Sequence, residues 1–78
     1  MQTARTVEVL EKFFLDNCLN IPDSNLNLLA SGYIDSFSLL ELVEYLESEL
    51  NVSIKSAEIN ADNFATIVSI VEYIESTF

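Results

Sequence analysis

The sequence has no histidine, and its 78 residues include a single cysteine, a single glycine and a single proline. Without histidine, neither the Ser-His nor the Cys-His nucleophile pair is available, and zinc sites lose their usual ligand. One cysteine excludes an internal disulfide and is typical of a reducing compartment. A single glycine excludes a glycine-rich phosphate loop. No loop of spaced Asp or Asn residues with a central glycine is present, as an EF-hand would require. We therefore expect no metal site, no catalytic residue and no enzyme in its own right.

Basic residues are also scarce: the sequence has three Lys and Arg in total against 13 Asp and Glu, which gives a formal net charge of −10. Nucleic acid and anionic membranes both bind through basic patches, so neither is an expected partner. A basic protein surface is the natural complement. The amino terminus lacks the basic and apolar blocks of a signal peptide, and no apolar run approaches membrane-spanning length. We expect a soluble, cytoplasmic protein without membrane insertion.

The hydrophobic content, half of all residues, is ample for a compact core. The length allows one domain, 1–78, and one glycine and one proline leave few turns for an all-β fold. Helical periodicity instead predicts an all-α protein with three long helices and one short helix.

The first helix is predicted from Thr3 to Leu19, and Pro22 disfavours its continuation. Its buried stripe is expected to contain Val7, Leu10, Phe14 and Cys18, with Phe13 at the edge. The long link that follows carries enough apolar residues to pack over the core. Near the carboxyl terminus, Asn60 is predicted to cap a short helix, and Thr66 a last helix from Ile67 to Ser76. The expected buried stripe of that end is Phe64, Ile67, Ile70, Val71, Ile74 and Phe78.

The second helix is predicted from Ser36 to Leu50, and its two faces differ in chemistry. The core face is expected to hold Leu39, Leu42, Val43, Leu46 and Leu50. The acidic face is expected to hold Glu41, Glu44, Glu47 and Ser48, with Phe37 and Leu40 among them. Apolar side chains inside an acidic rim have the composition of a docking site. The alternative is that the glutamates only solvate the helix and that the position of Leu40 is incidental.

A turn from Gly32, which can adopt a positive φ, leads into Asp35 and Ser36 at the start of this helix. The Ser36 hydroxyl is expected to be accessible and without a neighbouring base, which suits a serine that another enzyme modifies. Asp and Ser are also preferred N-cap residues, so the pair could serve only to cap the helix. The run from Ser38 to Glu41 even matches a capping box, which would begin the helix two residues later.

The segment from Gly32 to Glu47 resembles the motif of acyl carrier proteins. It has, in order, a glycine turn, an aliphatic residue, Asp-Ser, a hydrophobe and a helix rich in Leu, Val and Glu. The resemblance implies that Ser36 carries a 4'-phosphopantetheine arm and that Asp35 engages the transferase or its metal. Phe37 stands where the family usually has Leu. The residues around Phe37 look more like those of discrete carriers that serve a dedicated acyl- or aminoacyl-activating ligase.

On this resemblance, a phosphopantetheinyl transferase would move the arm from coenzyme A to Ser36. The monomeric carrier would then hold acyl or aminoacyl groups as thioesters and deliver them to partner enzymes. The implied partners are the transferase, the activating ligase and acyl-transfer enzymes with basic docking patches. The residues expected to meet them are Phe37, Leu40, Glu41, Glu44 and Glu47. Two alternatives stay open: an unmodified acidic interaction module, and a carrier-like subunit whose arm serves assembly more than acyl transfer.

Overall fold

The computed structural model describes residues 3–78, with Thr3 by its backbone only. Its elements in chain order are α1 (Thr3–Asp16), α2 (Ser36–Leu50), a 3-10 turn (Ser56–Glu58), α3 (Ala61–Phe64) and α4 (Ile67–Thr77). No β-strand occurs in this part of the chain, nor any helix long and apolar enough to cross a membrane. The predicted all-α fold of three long helices and one short helix is confirmed.

Helices α1 and α2 lie side by side and run in opposite directions. Arg5, near the start of α1, forms an ion pair with Glu49 in the last turn of α2, at 3.7 Å. Further along α1, the rings of Phe13 and Tyr45 pack with centroids 5.6 Å apart. Helix α4 packs against α1 and α3. The fully buried apolar side chains come from all four helices and from the α1–α2 link: Leu10, Leu28, Ile34, Leu42, Leu46, Phe64, Ile70 and Ile74.

The end of α1 differs from the prediction, because the helix stops at Asp16 and not at Leu19. Cys18 has a left-handed backbone (φ 58°), and its N–H donates to the Leu15 carbonyl at 3.1 Å. The N–H of Leu19 donates to the Phe14 carbonyl at 2.7 Å. This pair of bonds is a Schellman motif, which closes the last helical turn and redirects the chain. Cys18 is consequently exposed, so its predicted place in the buried stripe was wrong.

The buried face of α1 is also shifted from the predicted stripe. Leu10 and Phe14 are buried as expected, whereas Val7 is only half-buried. Phe13, predicted at the edge, is buried, as are Thr6 and Val9. The shift follows from packing on two sides, since α1 contacts both α2 and α4.

Both predicted caps near the carboxyl terminus are confirmed. The Asn60 side chain accepts the Asn63 N–H at 2.9 Å, and the Thr66 hydroxyl accepts the Ser69 N–H at 3.0 Å. Helix α4 buries Ile70, Val71, Tyr73 and Ile74. Tyr73 was not among the predicted core residues, Ile67 is half-buried, and Phe78 was predicted buried but is exposed.

Candidate functional site

Ser36 is the first residue of α2, and its side chain is exposed. The N-cap is Asp35, whose backbone is extended (φ −110°, ψ −175°). Its carboxylate accepts the Ser38 N–H at 2.8 Å, and its carbonyl accepts the Leu39 N–H at 2.9 Å. The helix therefore starts at Ser36, and the alternative start at a Ser38 capping box was wrong.

The cap also determines the electrostatics of the site. Hydrogen bonds, chiefly from the Ser38 backbone and then its side chain, hold the pKa of Asp35 below its ordinary value of 3.8. Asp35 is thus ionised at neutral pH and directed to Ser38, not to the Ser36 hydroxyl. Among the described residues, this carboxylate makes its hydrogen bond to Ser38 and none to the Ser36 hydroxyl.

The first turn of α2 fits an anionic group on Ser36. The first N–H groups of a helix lack intrahelical partners, and the helix dipole favours negative charge at that end. An exposed hydroxyl on the first helical residue therefore places an attached phosphodiester where these groups stabilise it. Over residues 3–78, no cluster of three or more His, Cys, Asp or Glu is arranged to hold a metal ion.

The turn before Ser36 is held by hydrogen bonds centred on Leu28. Gly32 adopts φ +84°, as expected, and its N–H donates to the Leu29 carbonyl at 3.2 Å. The Leu28 carbonyl accepts the Ile34 N–H at 3.1 Å, and the Leu28 N–H donates to the Ala65 carbonyl at 2.7 Å. Ile34 and Leu28 are both buried. The link between α1 and α2 thus packs over the core, as predicted.

One residue of this turn was missed from the sequence. The Asn27 side chain accepts the Ala30 N–H at 2.9 Å and so caps the turn. The signal was present, because Asn is a preferred cap residue in the position before a helical turn. The turn is a single one, however, and lacks the apolar periodicity that identifies a helix.

The outer face of α2 has the predicted geometry. Phe37 is 72% exposed and Leu40 is 52% exposed, with Glu41 and Glu44 exposed beside them. The opposite face buries Leu39, Leu42, Val43 and Leu46, and Leu50 is half-buried. The predicted core and acidic faces are thus confirmed for these residues. We call Phe37, Leu40, Glu41 and Glu44 the outer face of α2.

Glu47 departs from this group. Its carboxylate accepts the Ile54 N–H at 2.8 Å, and the side chain is half-buried. The chain returns past α2 at this point, so Glu47 binds the following segment instead of facing solvent with Glu41 and Glu44. It was predicted from helical spacing alone, and spacing does not reveal where the chain goes after the helix.

The family described as phosphopantetheine attachment site matches residues 16–74, which include all of α2. The chain belongs to this family. Its resemblance to acyl carrier proteins is thereby confirmed, and the family's cofactor is a covalently attached 4'-phosphopantetheine.

Individual proteins similar to this chain are also carrier proteins. The chain is similar to the D-alanyl carrier proteins of Streptococcus pyogenes serotypes M5 (strain Manfredo), M49 (strain NZ131) and M1. Each is 28% identical over 69 residues, which are 88% of this chain and 85% of the relative. No solved structure gives a significant match.

Proposed function

We propose that this carrier bears 4'-phosphopantetheine on Ser36 and holds an acyl or aminoacyl group as a thioester on the arm. The observation that supports this most directly is the exposed hydroxyl of Ser36 on the first residue of α2, within the residues that match the family. When attached, the arm supplies a thiol that carries the acyl group between enzymes. The carrier itself contributes no catalytic group, and the enzymes that it visits perform each reaction.

Attachment to Ser36 requires a partner enzyme. The Ser36 oxygen forms the new bond to phosphorus and loses its proton to a base of the transferase, because Asp35 is engaged with Ser38. The nucleotide part of coenzyme A leaves. Asp35 remains ionised beside the reacting serine, where its charge is available to the transferase or to the transferase's metal ion.

Docking is proposed to use the outer face of α2. Phe37 and Leu40 offer apolar contact beside Ser36, while Glu41 and Glu44 attract a basic surface. A formal net charge of −10 favours the same kind of partner. Tethering makes transfer effectively intramolecular once the carrier is bound, so a weak and short-lived complex is sufficient.

The cargo is proposed to be a small aminoacyl group, loaded by a dedicated ligase. Support comes from the similarity to D-alanyl carrier proteins along most of both chains. Intact mass of the carrier purified from its own cells, before and after hydroxylamine cleavage of the thioester, would identify the group. A long-chain acyl mass would contradict this choice. The single-domain organisation, monomeric state and cytoplasmic location stay predictions.

The test of attachment is intact mass after incubation with coenzyme A, Mg²⁺ and a broad-specificity phosphopantetheinyl transferase. The wild-type chain should gain one phosphopantetheine group. Ser36→Ala should gain nothing while remaining folded, and Ser38→Ala, two residues along the same helix, should still be modified. A wild-type chain that is never modified would instead support the unmodified interaction module. Modification without any thioester in cells would support an arm that serves assembly.

A further inference from the structure

The turn that precedes Ser36 is capped in the same way as a helix. The Asn27 side-chain oxygen accepts the Ala30 N–H at 2.9 Å, and the Asn27 carbonyl accepts the Ser31 N–H at 3.0 Å. Asp35 makes the same two bonds, to the third and fourth residues that follow it. Two capped turns therefore follow one another, and Ser36 begins the second.

This first turn is connected to the rest of the molecule through Leu28. Its N–H binds the Ala65 carbonyl between α3 and α4, and its carbonyl binds the Ile34 N–H. Ile34 lies two residues before Ser36 and is 2% exposed. The backbone from Leu28 to Ile34 is thus held at both ends against the core. Asn27 caps the start of this segment.

We propose that Asn27 is a positioning residue for the modification of Ser36, an inference that rests on the proposed function. By capping the turn, its side-chain oxygen holds the segment from Leu28 to Ile34 in the conformation that presents Ser36 to the transferase. Asn27 is exposed, so replacing it removes no core contact. A displacement of about 1 Å at a reacting group can lower a rate by up to about 100-fold.

The test is steady-state kinetics of the transferase with the carrier as the varied substrate. Asn27→Ala should lower kcat by about tenfold, because the serine is less well placed in the bound complex. A role only in folding predicts a different result. A partly unfolded carrier reduces the competent fraction, which raises KM and leaves kcat unchanged at saturation.

Two further variants complete the test. Asn27→Asp keeps an oxygen that accepts the Ala30 N–H and should restore kcat; moderate salt limits the effect of its added charge. Asn25→Ala makes the same substitution two residues earlier. Asn25 donates its backbone N–H to Asp23, and alanine keeps that donor, so this variant should also keep the wild-type kcat. A wild-type kcat in Asn27→Ala, a change in its KM alone, or an Asn27→Asp as slow as Asn27→Ala would overturn the proposal. A wild-type chain that is not modified at all would refute the proposed function, and this inference with it.

Discussion

The hydroxyl of Tyr73 donates a 2.6 Å hydrogen bond to the carboxylate of Glu58. Tyr73 lies on the buried face of α4, and Glu58 ends the 3-10 turn that follows α2. The Asn63 side chain donates to the Glu58 carbonyl at 2.9 Å, which fixes the turn from its other side. Burial, followed by the hydrogen bond and the charge of Glu58, raises the pKa of Tyr73 to about 12.

This pKa predicts how stability depends on alkaline pH. The unfolded Tyr73 titrates near its ordinary pKa of 10.0, whereas the folded one keeps its proton to about 12. Its contribution to stability is therefore complete below pH 10 and is lost as the pH rises from about 10 to about 12. Tyr73→Phe should cost about 1–3 kcal/mol at neutral pH and should flatten the decline above pH 10. Urea unfolding at several pH values measures both effects, and parallel curves for the two proteins would contradict the assignment.

The two roles of Asp35 can be separated by substitution. Asp35→Ala removes the cap of α2 and should lower the free energy of unfolding. Asp35→Asn keeps an oxygen that accepts the Ser38 N–H, so it should retain most of that stability. If the charge engages the transferase or its metal, both variants should be modified more slowly. Modification of Asp35→Asn at the wild-type rate would limit Asp35 to capping.

The lowered pKa of Asp35 adds a prediction for acid. A carboxyl whose folded pKa is depressed stabilises the fold above its unfolded pKa and loses that contribution as the pH falls through the folded value. The contribution of Asp35 should therefore be complete well above its ordinary pKa of 3.8 and be lost as the pH falls through the lower folded pKa. Unfolding curves of wild type and Asp35→Asn should converge at the lowest pH that the fold survives. A constant difference down to that pH would contradict the assignment.

Docking through the outer face predicts distinct kinetic effects of charge and of apolar contact. Glu41→Lys or Glu44→Lys should slow association with a basic partner, more strongly at low salt, because steering is electrostatic. Leu40→Ala should speed dissociation with little dependence on salt, since it removes apolar contact area. The measurement is the rate of Ser36 modification against salt concentration, with a thermal melt of each variant.

Two control variants belong to this experiment. Glu75→Lys makes the same charge change at an exposed position of α4 and should slow association less than Glu41→Lys. Leu46→Ala removes a fully buried side chain and should cost about 2–5 kcal/mol of stability. Equal slowing by Glu75→Lys and Glu41→Lys would show that only the net charge matters, not the outer face.

Glu47 should behave as a structural residue. Glu47→Ala leaves the Ile54 N–H without its acceptor, in a residue that is 7% exposed, so the expected cost is about 1–3 kcal/mol. Glu44→Ala should leave stability nearly unchanged and slow docking instead. Unfolding free energies and modification rates of the two variants form a direct comparison. A Glu47→Ala that is fully stable but slowly modified would return Glu47 to the docking surface.

The prediction of α2 from sequence succeeded because the deciding interactions are local. Its apolar period places Leu42 and Leu46 on one face, and this period requires no knowledge of the partner helix. The caps at Asn60 and Thr66 act on N–H groups three residues away, so residue type and position were sufficient to identify them. The exposed serine after Asp35 follows from the same local rule.

Other features depended on segments that meet only in the folded chain. Glu47 belongs to the acidic pattern of α2, yet the return of the chain places Ile54 against its carboxylate. The hydroxyl of the buried Tyr73 donates to Glu58, and the turn before Ser36 is bonded through Leu28 to the distant carbonyl of Ala65. A buried polar group needs a partner, and tertiary packing supplies that partner. The sequence therefore determined the helices and the serine, whereas tertiary structure decided which carboxylates remain free for a partner.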